Sequence, residues 1–201
     1  AEQKADGTWA AAGQFSGMQK RGGADAVANA VRLNLLALAT PKEAQHEMEA
    51  AHAKSASVLQ RKDNPVAIES LVFRLLYARE VGKVEEVAML RREILKHQRG
   101  DGGWSSIIGA NRSDPLATGQ VLYVLQQGAE AGSGDAIARA QHWLLKTQLE
   151  DGGWQSDITH ISKVDRSSPE KAKSLRAATE IYHYWGSSWA TLGLLMGVPV
   201  R

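Results

Sequence analysis

Three stretches of this chain read almost alike: QKADGTW (Gln3 to Trp9), QRGDGGW (Gln98 to Trp104) and QLEDGGW (Gln148 to Trp154). In each, a Gln stands six residues before a Trp, with an Asp and then a Gly between them. The spacing from Gln98 to Gln148 is 50 residues, and from Gln3 to Gln98 it is 95, close to twice that. A degenerate copy is therefore expected between the first two. QRKDNP (Gln60 to Pro65) supplies it, keeping Gln and Asp at the same offset without the Gly and Trp. A turn written several times at a long period is the mark of a repeat architecture, which limits the fold more tightly than composition does.

The segments between these marks read as helices, with Leu and Ala filling them and Gly and Pro held mostly at the joints. The pattern predicts helices over 24–39, 43–60, 66–80, 84–98, 115–129, 135–148 and 179–196, and no strand. Asp114 before Pro115 reads as an N-cap followed by proline at the first helical position. Asp135 after Gly134 reads as a second cap. Two kinds of helix alternate. Those that end in a Gln mark are amphipathic: Val84, Val87, Leu90, Ile94 and Leu95 recur at helical spacing among Glu85, Glu86, Arg91, Arg92 and Lys96. Those that follow a mark are more uniformly apolar, as in LVFRLLYA (Leu71 to Ala78), QVLYVL (Gln120 to Leu125) and ATLGLLMGV (Ala190 to Val198). A helix apolar nearly all round needs cover on more than one side, whereas an amphipathic one covers a neighbour on one side only. The alternation predicts two layers, outer helices facing water and inner helices beneath, in an α/α barrel or solenoid.

The turn itself has the chemistry of a fastener. Gly supplies positive φ at a helix C-terminus, and Asp bonds nearby backbone N–H groups. Trp offers a large apolar face to cover the joint, and Gln offers both a donor and an acceptor. The motif holds no nucleophile and no acid–base pair. A Gln, a short spacer, Gly and Trp after an amphipathic helix, repeated along the chain, resembles the QW motif of squalene–hopene cyclases and, more broadly, the prenyltransferase and squalene-cyclase α/α toroid. LRREILKHQRGDGGW (Leu90 to Trp104) and ARAQHWLLKTQLEDGGW (Ala138 to Trp154) carry the likeness, and PLATGQVLYVL (Pro115 to Leu125) is similar to the small-residue inner helices of such proteins. The resemblance implies an all-α protein, an α/α toroid of two helical layers, here an incomplete ring of about seven helices forming one domain over 1–201. It implies that Gln3, Asp6, Trp9, Gln98, Asp101, Trp104, Gln148, Asp151 and Trp154 form structural turns that clamp outer helices together. By the same likeness Gln3 is expected to follow an outer helix, yet two residues precede it. The expectation is therefore the C-terminal part of a longer protein, completed by its own N-terminal segment or by another chain.

Catalytic signatures are sparse. The Asp-rich DxDD proton donor of squalene–hopene cyclases has no counterpart here. The chain has no cysteine, so the Asp, Cys and His zinc site of protein prenyltransferases cannot be assembled. The pairs Glu43/His46 and Glu49/His52 have Glu-x-x-His spacing, but both lie on one expected outer helix, where a solvated face is the favoured reading; no metal or other cofactor is expected. Asp114 is either a helix cap or an acid at the mouth of a central space. Tyr182, His183, Tyr184, Trp185 and Trp189 form the densest aromatic cluster, with Glu180 nearby; by the resemblance to cyclases they line a cavity for a hydrophobic ligand and stabilise cations through their π faces, or else they seal the last helix against its neighbour. Ser156 to Arg176 reads as a long polar loop. The charge is balanced, 24 basic against 22 acidic residues for a net +2, which gives no nucleic-acid footprint. No apolar run is long enough to span a bilayer, and the lack of cysteine leaves both a cytoplasmic and an exported location open. Two functions follow: a structural or binding module that packs against the rest of its protein or a partner chain, or the C-terminal part of a terpene cyclase acting on a polyisoprenoid.

Overall fold

The structure is a computed structural model that describes residues 3–11, 22–39, 45–59, 65–128, 132–156 and 169–198. The described residues form helices α1 (Ala24–Ala39), α2 (Gln45–Leu59), α3 (Ile68–Glu80), α4 (Val84–Lys96), α5 (Pro115–Gln126), α6 (Gly134–Thr147) and α7 (Pro169–Leu195), and among them there is no named strand. The degenerate Gln60 copy, apart from Pro65, lies outside the described residues, as does Glu43; nothing of the His46 side chain is described. The chain divides into two compact units, Ala1–Arg92 and Glu93–Arg201, and the division falls within α4.

In the first unit α1 packs against α3 and α2. Val27, Ala30 and Leu33 of α1 are buried, as are Ile68, Leu71, Val72, Leu75 and Ala78 of α3. In the second unit α5 packs against α7 and α6. The two expected kinds of helix are most distinct here. In α5 every residue from Pro115 to Leu122, together with Val124 and Leu125, is buried. In α6 only Ala136, Ala140 and Leu144 are, a single stripe at four-residue spacing. The α5–α7 contact is close because both helices carry glycine at the crossing. A Cβ on Gly119 would overlap the Trp189 carbonyl, and one on Gly193 would lie 2.7 Å from the Gly119 oxygen.

Three boundaries depart from the sequence reading. Helix α7 begins at Pro169, ten residues ahead of the expected 179. Proline at the first helical position with Glu170 behind it is a start signal, masked in the sequence by a run of charged residues without apolar periodicity. The long polar loop expected to reach Arg176 is therefore helical over its last part, and residues 157–168 lie outside the described residues. Asp135 is not a cap. Helix α6 starts at Gly134 after Ser133, which leaves Asp135 inside the first turn, where its charge suits the helix dipole. The helices before the Gln marks stop short of them: α4 ends at Lys96, and Gln148 follows Thr147 with extended backbone, φ −63° and ψ 136°. One apolar segment also lacks the cover expected of it. At the end of α7, Leu192, Leu195, Met196 and Val198 are 45%, 58%, 43% and 59% exposed.

Candidate functional site: the Gln-to-Trp turns

The three turns have one backbone. The residue after each Gln donates to the carbonyl four residues on: Lys4 to Thr8 at 2.9 Å, Arg99 to Gly103 at 2.9 Å and Leu149 to Gly153 at 2.9 Å. The glycine after each Asp donates back across the turn, to Lys4, Arg99 and Leu149 at 3.0, 3.0 and 2.9 Å. That glycine has φ of 85°, 96° and 83° at Gly7, Gly102 and Gly152, a conformation that costs an L side chain strain. Each Asp braces the turn from inside. Oδ1 of Asp6, Asp101 and Asp151 accepts from the backbone N–H two residues on, at 2.9, 3.1 and 2.9 Å. Asp101 also accepts from Ser113 Oγ at 2.7 Å, and Asp6 from Thr8 Oγ1 at 2.7 Å. The Gln amide closes the turn, since Gln3, Gln98 and Gln148 Nε2 donate to the carbonyls of Gly7, Gly102 and Gly152 at 3.1, 2.9 and 2.8 Å.

The Trp joins each turn to the helices around it. Trp104 and Trp154 are 0% and 3% exposed. Their indole N–H groups donate at 2.8 Å to carbonyls ten residues back, Ile94 in α4 and Leu144 in α6, so a large apolar group is buried with its polar atom satisfied. Trp9, half-buried, bonds Ser55 Oγ of α2 at 3.0 Å instead. The Trp backbone N–H is held by a polar side chain from the next apolar helix: Asn29 Oδ1 of α1 at 2.5 Å, Thr118 Oγ1 of α5 at 2.9 Å and Ser187 Oγ of α7 at 2.9 Å. These three residues were not legible as site residues. The one signal for them is a polar side chain on an apolar helix downstream of each turn.

Two turns are also docked on a neighbouring outer helix. Gln3 Nε2 reaches the Ala51 carbonyl of α2 at 3.0 Å and Ser55 Oγ at 2.7 Å. Gln98 Nε2 reaches the Ala136 carbonyl of α6 at 2.8 Å, and the Arg139 guanidinium donates back to Gln98 Oε1. Ahead of Gln98, the Glu93 carboxylate lies 2.7 Å from Lys96 Nζ and 3.3 Å from His97 Nε2, and the Lys96 hydrogen bond holds its carboxyl below the usual range. Gln148 has no such partner helix among the described residues. Arg99 fixes the connection to α5 by donating to the Ala110 and Asn111 carbonyls at 2.6 and 2.7 Å.

The other candidates separate. Asp114 is 4% exposed and caps α5, with Oδ1 accepting from Leu116 and Ala117 N–H at 2.9 and 3.2 Å. The aromatic cluster on α7 is divided by helical periodicity. Tyr182 is 3% exposed with its ring 5.8 Å from that of Trp185, and Trp189 meets Tyr123 of α5 edge-on at 5.7 Å. Tyr184 is 70% exposed, Glu180 is exposed one turn before it, and His183 is half-buried between the two faces. His52 of α2 lies 3.3 Å from the Tyr77 hydroxyl, and Glu49 faces solvent. Among the described residues no three His, Asp or Glu side chains gather as a metal site, and no helix is long and apolar enough to cross a membrane.

The polar groups of the turns are thus engaged with backbone and neighbouring helices, the chemistry of a joint. No curated protein matches the chain. Residues 62–200 match the family described as squalene-hopene cyclase C-terminal domain, a span that takes in α3 to α7 and two of the three turns. The first turn lies outside that span and has the same backbone, Asp and Gln hydrogen bonds, with its indole bonded to Ser55 instead. The chain is an all-α protein of the α/α-toroid class, and it belongs to the squalene-hopene cyclase C-terminal domain family.

Proposed function

We propose that this chain is a structural and binding module, whose Gln-to-Trp turns are QW motifs that fasten outer helices, and that it packs against further polypeptide, either the rest of its protein or a partner. The observation that carries this reading is the common hydrogen bonding of the three turns. Gln, Asp and Trp bond backbone or neighbouring helices in each, as fasteners do. The apolar side chains left in water support the packing role. Leu35 and Leu38, three residues apart on α1, are 48% and 59% exposed, and side chains at that spacing lie on one helix face, where a packing partner would cover them. Sedimentation of the 201-residue chain should show self-association, and the double substitution Leu35→Glu, Leu38→Glu should return it to monomer. A stable wild-type monomer overturns the packing role.

A second reading is a terpene cyclase acting on a polyisoprenoid. It is favoured by the family and by the aromatic pairs Tyr182–Trp185 and Tyr123–Trp189, whose faces are of the kind that stabilises carbocations. Incubation with squalene in detergent, followed by mass spectrometry, separates the two. The module reading expects no cyclised product, and its appearance would replace that reading with the enzymatic one.

A further inference from the structure

The two docked turns define what fits such a turn, and the third presents the same surface to solvent. In both docked cases the helix offers carbonyls three residues apart. The first accepts from the Gln amide, Ala51 for Gln3 and Ala136 for Gln98. The second lies against the turn glycine. A Cβ on Gly7 would be 2.6 Å from the Lys54 oxygen, and one on Gly102 would be 2.7 Å from the Arg139 oxygen. Both helices use the same residues to allow this approach: Ala51-x-x-Lys54-Ser55 in α2 and Ala136-x-x-Arg139-Ala140 in α6. The small residues let the turn reach the backbone, and in α6 the basic residue donates back to the Gln98 side chain. At the third turn, Gln148 Nε2 bonds only the Gly152 carbonyl, and both residues are exposed. Among the described residues, a Cβ on Gly152 would meet nothing within 4 Å but that amide, at 3.9 Å. Leu145 and Leu149 beside it are 62% and 44% exposed. This turn is also the acidic one of the three, with Glu150 and Asp151 both exposed.

We propose that the outer face of residues 148–154 is a docking site for an α-helix of a partner polypeptide that carries a small-x-x-Lys/Arg-small stripe. The helix accepts from Gln148 Nε2, lays its backbone on Gly152, covers Leu145 and Leu149, and sets its basic side chain toward Glu150 and Asp151. A second copy of this chain fits less well. Among the described helices the stripe occurs only in α2 and α6, and both are occupied by this chain's own turns. The site rests on the module reading but shares no residue with the exposed leucines of α1, so the sedimentation result bears on one and not on the other.

The test titrates a helix-stabilised peptide of the α6 sequence, residues 134–147, into the isotopically labelled full chain. Saturable NMR shifts are expected at the Gln148 side-chain amide and the Gly152 N–H. Leu145→Glu in the protein, and Ala136→Leu in the peptide, should each weaken binding by roughly tenfold or more, the equivalent of about 1.4 kcal/mol. Absence of shifts at Gln148 and Gly152 overturns the proposal, as do shifts confined to Gln98 and Gly102, which would mean exchange with α6. If the Gln148 and Gly152 signals move with protein concentration alone, the occupant is a second copy and the partner helix is wrong.

Discussion

The turns at 98–104 and 148–154 have the same hydrogen bonds within and differ in what lies outside them. Each has its Asp brace, its glycine at positive φ, its Gln-to-carbonyl bond and a buried Trp bonded ten residues back. Among the described residues only the first has a helix against its outer face, through Gln98 to Ala136 and Gly102 to Arg139. Forming the turn and docking it are therefore separable. The turn is complete from its own seven residues, the helix before it and one polar side chain from the helix after it. Docking adds a second layer of contact to a turn that already exists.

That separation sets the expected energetics. The largest effect is at the indoles, which belong to the layer that both turns share. Trp104→Ala and Trp154→Ala should each cost about 3–5 kcal/mol in denaturant melts, since each empties a buried site. A much smaller loss at Trp154 would mean that the two turns differ inside as well as out. The glycines probe both layers at once. Gly152→Ala should cost about 1–2 kcal/mol for the positive φ alone. Gly102→Ala adds a methyl 2.7 Å from the Arg139 oxygen, and should cost roughly 1–3 kcal/mol more, as overpacking does. Equal losses at the two positions would show that α6 gives way without resistance. The amides come last, and the smallest effect of all is at Gln148. Gln98→Ala should cost about 1–3 kcal/mol by leaving carbonyls without their donor, and Gln148→Ala less than about 1 kcal/mol because its one bond is exposed. A Gln148 loss as large as that of Gln98 would remove the distinction between a docked and an open turn.

The sequence carried the joints better than their partners. Helix α1 falls where apolar residues between Gly23 and Thr40 predict it, and α5 where Asp114 and Pro115 mark its start. The roles expected of Asp, Gly and Trp in the turn rest on local chemistry, and seven adjacent residues hold most of it. The helix that each Gln reaches is 48 residues away for Gln3 and 38 for Gln98, a choice made by tertiary packing and invisible to periodicity. Asn29, Thr118 and Ser187 were missed for the same reason, because a single polar residue on an apolar helix acquires meaning only once the turn is beside it. The start of α7 was missed for the opposite reason. Its signal is local, but charged neighbours without an apolar stripe hide it. The α7 aromatics form one cluster in sequence and two faces in space, because adjacent helical residues point about 100° apart.

The crossing of α5 and α7 restricts how this protein can vary. Around it, Val121, Leu122 and Leu125 fill volume, and volume can be shared out among Val, Ile, Leu and Met with small losses. Gly119 and Gly193 have no such alphabet. Each meets main chain rather than the movable tip of a side chain, so even the smallest replacement must push two helices apart along their length. Most of the apolar letters of these helices can be exchanged with the shape kept, while at two positions that contribute no side chain at all nothing larger than hydrogen fits.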